Sequence, residues 1–269
     1  MTSRLLALAV VSALGASLVA CAADSTGPNA SATGAVSLSF STTGASSTSS
    51  STSLSGGALS GALVGSSSVD ALVITKAQLV LAELELQRAG ATCTSTSGSG
   101  DDNSSSSDSC AELELAPTMI DLPVNGNVVS ALSVPVPAGS YSAFEAKITP
   151  ADTGRPGGAA LIATHPELRA ASVRVEGTFN GKTFTYTGAT RAQIESRFDP
   201  PLVADGSGMN VTVRVDLTGW FRTSSGALID PATANAGGPN AELVSTNIAR
   251  SFIAFRDDDH DGRDDSGRD

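Results

Sequence analysis

The chain has few of the residues on which most binding and catalytic chemistry depends. Its 269 residues include three cysteines, two histidines and three lysines, and aromatic residues make up only 4%. The formal net charge is −11, and no segment concentrates lysine and arginine. Because a nucleic-acid-binding surface neutralises phosphates with basic side chains, the composition excludes nucleic acid as a partner.

The sequence also lacks the signature of a serine hydrolase. No Gly-x-Ser-x-Gly elbow occurs, and a triad would have to use His165, before a proline, or His260, in an acidic segment. A catalytic histidine must be held beside its nucleophile. We therefore expect both histidines to be surface or capping residues.

Paired glutamates are the remaining catalytic candidates. The sequence Ala82-Glu83-Leu84-Glu85-Leu86 recurs letter for letter at residues 111–115, which adds Glu112 and Glu114. Glycoside hydrolases place two carboxylates across the bond that they cleave. Alternation with leucine instead predicts two neighbouring antiparallel strands with the glutamates on the solvated face. A glycan hydrolase using these residues is the alternative to a non-catalytic function.

The N-terminus predicts export. Residues 1–20 combine Arg4 with an apolar run over Leu5–Leu18. This run is shorter than the roughly 20 residues of a membrane-spanning helix, which is typical of a signal peptide.

The end of this signal resembles the lipobox of bacterial lipoproteins, carried here by Leu18-Val19-Ala20-Cys21. The resemblance implies that Cys21 becomes the first residue and carries acyl chains, and that Ala22 directs the protein to the outer membrane of a Gram-negative cell. The alternative is an ordinary secretory peptide cleaved nearby, which leaves Cys21 a free thiol.

Two further cysteines, Cys93 and Cys110, form an even pair in an exported chain. Such a pair predicts a disulfide. Closing the loop between them is worth on the order of 3 kcal/mol in the chain-entropy model. A metal site built on these cysteines would lack further ligands, because only two histidines are available.

Composition divides the mature chain. Residues 21–34 are rich in Ala, Ser, Thr and Gly and predict a flexible tether. Residues 35–255 predict one β domain, with Ser-rich disordered insertions at 42–68 and 94–109, and residues 256–269 form an acidic tail. A single stalk made of the first strand and the first insertion is the alternative for that segment.

Short alternating segments between turn signals predict an antiparallel β-sandwich. The run Asp70–Leu86 changes phase near Lys76–Gln78, which indicates a bulge, and Pro200-Pro201 interrupts the strand after Gln193. The predicted strands are Ala35–Ser41, Asp70–Leu86, Ala111–Leu115, Met119–Val124, Val128–Val136, Tyr141–Ile148, Ser172–Phe179, Lys182–Thr187, Gln193–Phe198 and Met209–Leu217.

One C-terminal segment differs in kind. In Ala241–Phe255 the apolar residues Val244, Ile248 and Phe252 recur at four-residue steps. This spacing predicts the single amphipathic helix of the domain.

Residues 137–141, Pro-Ala-Gly-Ser-Tyr, lead into a strand whose buried face is Phe144, Ala146 and Ile148. This corner resembles the Pro-Gly-x-Tyr corner of transthyretin-like modules on bacterial surfaces. With residues 74–81, 119–123, 173–186 and 251–265, the order is similar to a family of uncharacterised bacterial lipoprotein domains with a transthyretin-like (carbohydrate-binding-like) β-sandwich. The resemblance implies that fold and transfers no active site.

The acidic tail contains Asp-x-Asp-x-Asp-Gly at residues 257–262, the first half of a calcium loop. The candidate ligands are the side chains of Asp257, Asp259, Asp261 and Asp265 and the carbonyl of Arg263. Position twelve of the loop is Arg268 instead of glutamate, so the alternative is a solvated tail. The sequence as a whole predicts a non-catalytic, lipid-anchored surface β-sandwich that binds or displays a glycan, an envelope polymer or a protein.

Overall fold

A computed structural model describes residues 33–43, 62–66, 71–90, 110–113, 115–205 and 208–267. It describes the side chains of residues 34–43, 71–90, 115–205 and 208–267. All of these residues belong to one compact unit, Ser31–Asp269. The predicted lipidation site Cys21, the thiol of Cys93 and the insertion at 94–109 lie outside the described residues.

Strands dominate the described part of the chain. They are β1 (Thr33–Thr43), β2 (Ala62–Ser66), β3 (Ala71–Arg88), β4 (Cys110–Leu113), β5 (Thr118–Asp121), β6 (Val129–Pro137), β7 (Gly139–Ile148), β8 (Val173–Phe179), β9 (Lys182–Gly188), β10 (Ala192–Ala204), β11 (Met209–Asp216) and β12 (Phe252–Arg256). The helices are α1 (Gly158–Thr164) and α2 (Ala241–Ala249), and 3₁₀ turns lie at Pro166–Leu168, Leu217–Gly219 and Pro231–Ala234.

The strands form two sheets around one core. The first has the order β12-β11-β1-β6, in which β1 is parallel to β11 and antiparallel to β6. The second has the order β10-β7-β3-β8-β9, and β2, β4 and β5 also pair with β3. Apolar side chains from both sheets meet in a single cluster, so the predicted mainly β, sandwich-like architecture is confirmed.

Strand β3 pairs with five other described strands, and the set of its residues that faces the core changes phase twice along its length. Leu72 and Ile74 face the core, then Leu79 and Leu81, then Leu84 and Leu86. Its register with neighbouring strands shifts between Ile74 and Lys76 and between Leu81 and Glu83. Each shift inserts one residue and restores the apolar face, which is the function of a β-bulge. The bulge predicted near Lys76 is confirmed, and the second was not predicted.

The repeated glutamate segments pair as predicted. Strands β3 and β4 are antiparallel, with Leu84 opposite Leu113 and Glu85 opposite Glu112. The leucines of β3 are fully buried, and Glu85 lies on the outer face.

The predicted corner closes around Tyr141. Its side chain is fully buried, and its hydroxyl donates a 2.6 Å hydrogen bond to the Pro137 carbonyl. Phe144, Ala146 and Ile148 are buried, as the alternation of β7 predicts.

Aromatic residues fill the core near the end of β11. Trp220 and Phe221 are fully buried, and the Trp220 indole donates to Ser251 Oγ at 2.8 Å. Phe221 packs edge-to-face against Tyr186, with ring centroids 5.3 Å apart.

The predicted C-terminal helix is too long. Helix α2 ends at Ala249, and the chain then forms β12, which pairs antiparallel with β11. Phe252 and Phe255 therefore belong to a strand. The four-residue spacing continues into β12 by coincidence, and ladder hydrogen bonds to the edge of β11 override it.

Two other expectations also change. Residues 62–66, expected within a disordered insertion, form β2 and pair with residues 71–74 of β3. Pro200-Pro201 does not end its strand, because β10 continues to Ala204. Residues of β10 before and after the prolines both pair with β7, and the register shifts between Arg197 and Leu202. Proline is tolerated in a strand where a bulge removes the need for its missing N–H.

Helix α1, which was not predicted, covers the outer face of the larger sheet. Its Ile162 packs with Val80 of β3, Ala151 and Leu168 in a small apolar cluster separate from the main core.

Candidate metal centre

The acidic loop that follows β12 is attached to the outer face of the smaller sheet. The amide of Asp257 donates to the Asn210 carbonyl at 3.2 Å, and Asn210 Nδ2 donates to the Asp257 carbonyl at 2.6 Å. Asn210 Oδ1 in turn accepts a 3.0 Å hydrogen bond from Ser39 Oγ of β1. These bonds bring the first aspartate of the motif onto β11.

Asp257 is a fully buried carboxylate. Its Oδ2 accepts from Thr212 Oγ1 at 2.5 Å and from the Gly262 amide at 3.1 Å, and its Oδ1 accepts from the Asp261 amide at 3.0 Å. Within the described residues, no lysine or arginine forms an ion pair with it. Burial of an ionised carboxylate is costly unless it is hydrogen-bonded and its charge is balanced. Asp257 therefore has hydrogen bonds from neutral groups and, in the described part of the chain, no ion pair with a basic side chain.

Two more carboxylates converge on Asp257. One oxygen each from Asp257, Asp259 and Asp265 lies within 4.8 Å of the others. Ca²⁺ binds oxygen at about 2.3–2.6 Å, so ligands on opposite sides of one ion are about 5 Å apart. The spacing of the cluster therefore fits a single cation of this size.

The loop closes by backbone contacts. The Asp265 amide donates to the Arg256 carbonyl at 3.0 Å, and Asp265 Oδ2 accepts from the Asp258 amide at 2.8 Å. Gly262 has φ +78°, and a Cβ there would lie 2.8 Å from Val128 Cγ2. Only glycine combines this left-handed backbone with such a close approach to the residue before β6.

The remaining predicted ligands lie elsewhere in the loop. Asp261 Oδ1 accepts from the Arg263 amide at 2.8 Å, and its Oδ2 lies 3.5 Å from Arg263 Nη1. Asp261 is thus oriented toward Arg263, while Asp257, Asp259 and Asp265 are brought together.

The segment beyond the cluster forms an ordered turn. Hydrogen bonds from the Ser266 hydroxyl and amide hold the pKa of Asp264 below its usual value, and the Arg214 charge acts in the same direction. Residues 257–266 therefore form a folded loop, in contrast to a fully solvated tail.

Sequence reasoning missed the residues that support this loop. Asn210 and Thr212 alternate with buried valines on β11, a pattern that ordinarily indicates that the polar residues lie on a solvent-facing side of the strand. Both are buried because the loop covers them. The sequence carries no signal for that covering, since the contact joins positions 45 residues apart.

The two histidines occupy different environments. His165 Nδ1 lies 3.3 Å from Glu167 Oε1 near α1. His260 has φ +59° and, with Arg256 and Asp258, lines a cavity of about 580 Å³ between the loop, β1, β10 and β11. Arg256 and Asp258 in its wall are paired, with Nη2 2.6 Å from Oδ2.

Glu83 and Glu85 lie on the outer face of the larger sheet, whereas the side chains of Glu112 and Glu114 are outside the described residues. Glu85 is opposite Glu145 of β7, which is opposite Glu195 of β10; we call these three the glutamate row. Lys147 Nζ lies 3.0 Å from Glu83 Oε2 and 3.3 Å from Glu145 Oε1. The lysine thus lies between two of the carboxylates on this face.

The cysteine predictions fall largely outside the described residues. Cys110 begins β4, where its backbone pairs with Gln87 of β3. Of the helices in the described ranges, none has the length and apolar character to cross a membrane.

The similarity of this chain to known proteins is slight. No protein-family model matches the chain, and no curated protein sequence matches it. Among solved structures, MbnP from Methylosinus trichosporium is similar at 14% identity and a TM-score of 0.47, over 84% of this chain and 99% of that one.

Proposed function

We propose that this chain is a non-catalytic, exported β-sandwich, anchored to the membrane by lipid at Cys21, whose C-terminal loop binds calcium. The proposal includes its membership of the lipoprotein domains with a transthyretin-like sandwich that it resembles. The observation that carries the calcium site is the buried carboxylate of Asp257, which pairs with no lysine or arginine of the described residues and lies within 4.8 Å of two other carboxylates.

The donor set favours a hard cation. All of the candidate side-chain ligands are carboxylate oxygens, which suit Ca²⁺ and Mg²⁺ better than metals that prefer sulfur or imidazole. A loop of flexible carboxylates suits the variable geometry of Ca²⁺ better than the strict octahedron of Mg²⁺. Without a bidentate glutamate at position twelve, we expect a Kd of about 10⁻⁴–10⁻³ M, the range of extracellular modules.

A bound cation would have a structural role. Asp257 contacts β11, Gly262 contacts the start of β6, and Asp265 returns to Arg256 of β12. Neutralising the three carboxylates would hold the loop across these three strands.

Calorimetry of calcium binding tests this site. Asp259→Asn should weaken binding at least about tenfold, since it removes one charged ligand. Asp264→Asn is the matched control, because Asp264 is an exposed aspartate of the same loop outside the cluster. Absence of saturable heat in the native chain, or equal affinity of both variants, would contradict the calcium site.

The lipid anchor is tested separately. Cys21→Ala should move the protein from the membrane fraction to the soluble fraction, because the acyl chains at Cys21 supply the membrane affinity, about 0.8 kcal/mol per buried CH₂. Mass spectrometry of the native N-terminal peptide should find an acylated cysteine. A variant that still sediments with membranes, beside an unmodified native peptide, would overturn the anchor.

Surroundings of the glutamates support a non-catalytic function over the hydrolase alternative. Glu83 and Glu145 both form ion pairs with Lys147, so each of these carboxylates already has a cationic partner on the sheet face. The proposed function of the sandwich is to bind or display a glycan, an envelope polymer or a protein. A glycan array probed with the exported chain tests the first of these three classes.

A further inference from the structure

A second cavity, of about 690 Å³, lies on the outer face of the larger sheet beside α1. Its charged lining consists of Glu83, Lys147, Asp152, Arg155 and Arg191; we call it the arginine groove. We propose that the arginine groove binds a small ligand through an oxyanion group, a carboxylate or a phosphate.

The two arginines are the reason for this choice of ligand. Among the described residues, neither Arg155 nor Arg191 forms a side-chain hydrogen bond or an ion pair. A guanidinium group offers donors in a planar fork that matches a carboxylate or phosphate. The groove thus presents two uncommitted forks in a chain whose formal charge is −11.

The backbone of Arg155 is held in place. The Arg155 amide donates to the Asp152 carbonyl at 3.2 Å, and Asp152 Oδ1 accepts from the Gly154 amide at 2.8 Å. At Gly157, φ is +79° and a Cβ would lie 2.7 Å from Ala116 Cβ. The loop that carries Arg155 therefore lies directly on the segment before β5, which forms another wall of the cavity.

The backbone of Arg191 is held equally well. The preceding residue, Thr190, is fully buried, and its carbonyl accepts a 2.5 Å hydrogen bond from Ser172 Oγ. The next residue, Ala192, is buried and pairs with Ile148 of β7. Both arginines, whose side chains are exposed, thus extend from fixed backbone positions into the lining of one groove.

The other charges limit the ligand. The ammonium of Lys147 is already shared between Glu83 and Glu145, so it offsets these carboxylates and adds little free positive charge. Asp152 adds a negative group to the wall. A ligand with one compact oxyanion group fits this balance, whereas an extended polyanion would meet the carboxylates.

Isothermal titration of the exported chain, without calcium, tests the proposal with two probes that each carry one compact oxyanion group, inorganic phosphate and acetate. We expect saturable binding of at least one probe, and the probe that binds identifies the oxyanion. The double variant Arg155→Gln, Arg191→Gln should weaken that binding at least about tenfold, because it removes charge-assisted hydrogen bonds. Arg250→Gln is the control, since Arg250 is exposed and outside the cavities described here.

Absence of saturable heat with both probes would overturn the proposal, as would equal binding by the double variant and the control. Thermal unfolding of each variant establishes that the fold is kept. The groove shares no residue with the aspartate cluster, so its failure would leave the calcium proposal standing, and the reverse also holds.

Discussion

The two sheets of the sandwich both carry carboxylates on their outer faces, but the surroundings of these groups differ. On the larger sheet, the glutamate row follows the strand register, so its members are separated by about 4.8 Å per strand. The adjacent Lys147 is shared by Glu83 and Glu145, whose side chains are 22% and 27% exposed. On the smaller sheet, Asp257 is fully buried and forms hydrogen bonds to neutral groups alone.

The difference indicates which acidic group needs a ligand. Solvent and a lysine moderate repulsion in the glutamate row, and screened surface charges have small energies. Burial removes that screening for Asp257, and convergence of Asp259 and Asp265 adds repulsion. An external cation is therefore more valuable in the loop than on the sheet.

The largest expected effect separates the two regions directly. Asp257→Ala leaves Thr212 Oγ1 and the amides of Asp261 and Gly262 without their acceptor. We expect the free energy of unfolding to fall by about 3 kcal/mol or more in urea denaturation with calcium present, where the ion balances the Asp257 charge in the native chain. Glu195→Ala, at an exposed member of the glutamate row, should change it by less than about 0.5 kcal/mol. Equal losses in the two variants would remove the distinction between the regions.

The second prediction concerns the two cysteines, of which Cys110 begins β4 of the larger sheet. If Cys93 and Cys110 form a disulfide, reduction should lower stability by on the order of 3 kcal/mol. Mass spectrometry of non-reduced peptides should find the two cysteines joined. The double variant Cys93→Ser, Cys110→Ser should be insensitive to reductant and should bind calcium normally. Two free thiols in the exported protein would end this prediction.

A third prediction uses calcium to mark the loop alone. With a Kd of about 10⁻⁴–10⁻³ M, about 10 mM Ca²⁺ should stabilise the fold by about 1.4–2.7 kcal/mol, because the ion binds only the folded loop. Asp259→Asn should reduce this gain by about 1 kcal/mol or more, because its Kd is at least about tenfold higher. Glu145→Gln in the glutamate row should keep the full gain. A gain in stability that disappears in Glu145→Gln would place the calcium effect on the larger sheet and contradict the site in the loop.

The last prediction concerns the small loss of stability expected when Lys147, beside the glutamate row, loses its charge. Lys147→Met should cost less than about 1 kcal/mol, since exposed ion pairs contribute little, and less at high salt. Hydrogen bonding to Glu83 is the main cause that raises the pKa of Lys147 above 10.5. Its contribution is therefore present below pH 10.5 and is lost as the pH rises through the raised pKa.

Denaturation of Lys147→Met at low and high salt measures this effect, and Lys182→Met, at the exposed first residue of β9, is the control. A salt-independent loss above about 2 kcal/mol in Lys147→Met would mean that the ion pairs are not surface-like.

Local patterns in the sequence determined much of the fold. Alternation predicted β7 and the β8–β9 hairpin, because one face of each strand is buried and the other is more exposed. It also predicted β1, although Ser39 and Ser41 on the polar face of that strand are buried as well. The letter-for-letter repeat predicted the pairing of β3 with β4. The same local reasoning failed at β12, where apolar residues spaced for a helix instead complete the edge of a sheet.

The candidate sites divide in the same way. The Asp-x-Asp-x-Asp-Gly motif is visible in the sequence because its residues are neighbours, and it includes Asp257 and Asp259 of the observed cluster. The burial of Asp257 is decided by Thr212 and Asn210, which only the pairing of β12 with β11 brings beneath the loop. Arg155 and Arg191 likewise share a groove because distant loops meet over β3 and β7. Sequence spacing fixes which groups can act together locally, whereas burial and charge balance depend on contacts between strands that are far apart in the chain.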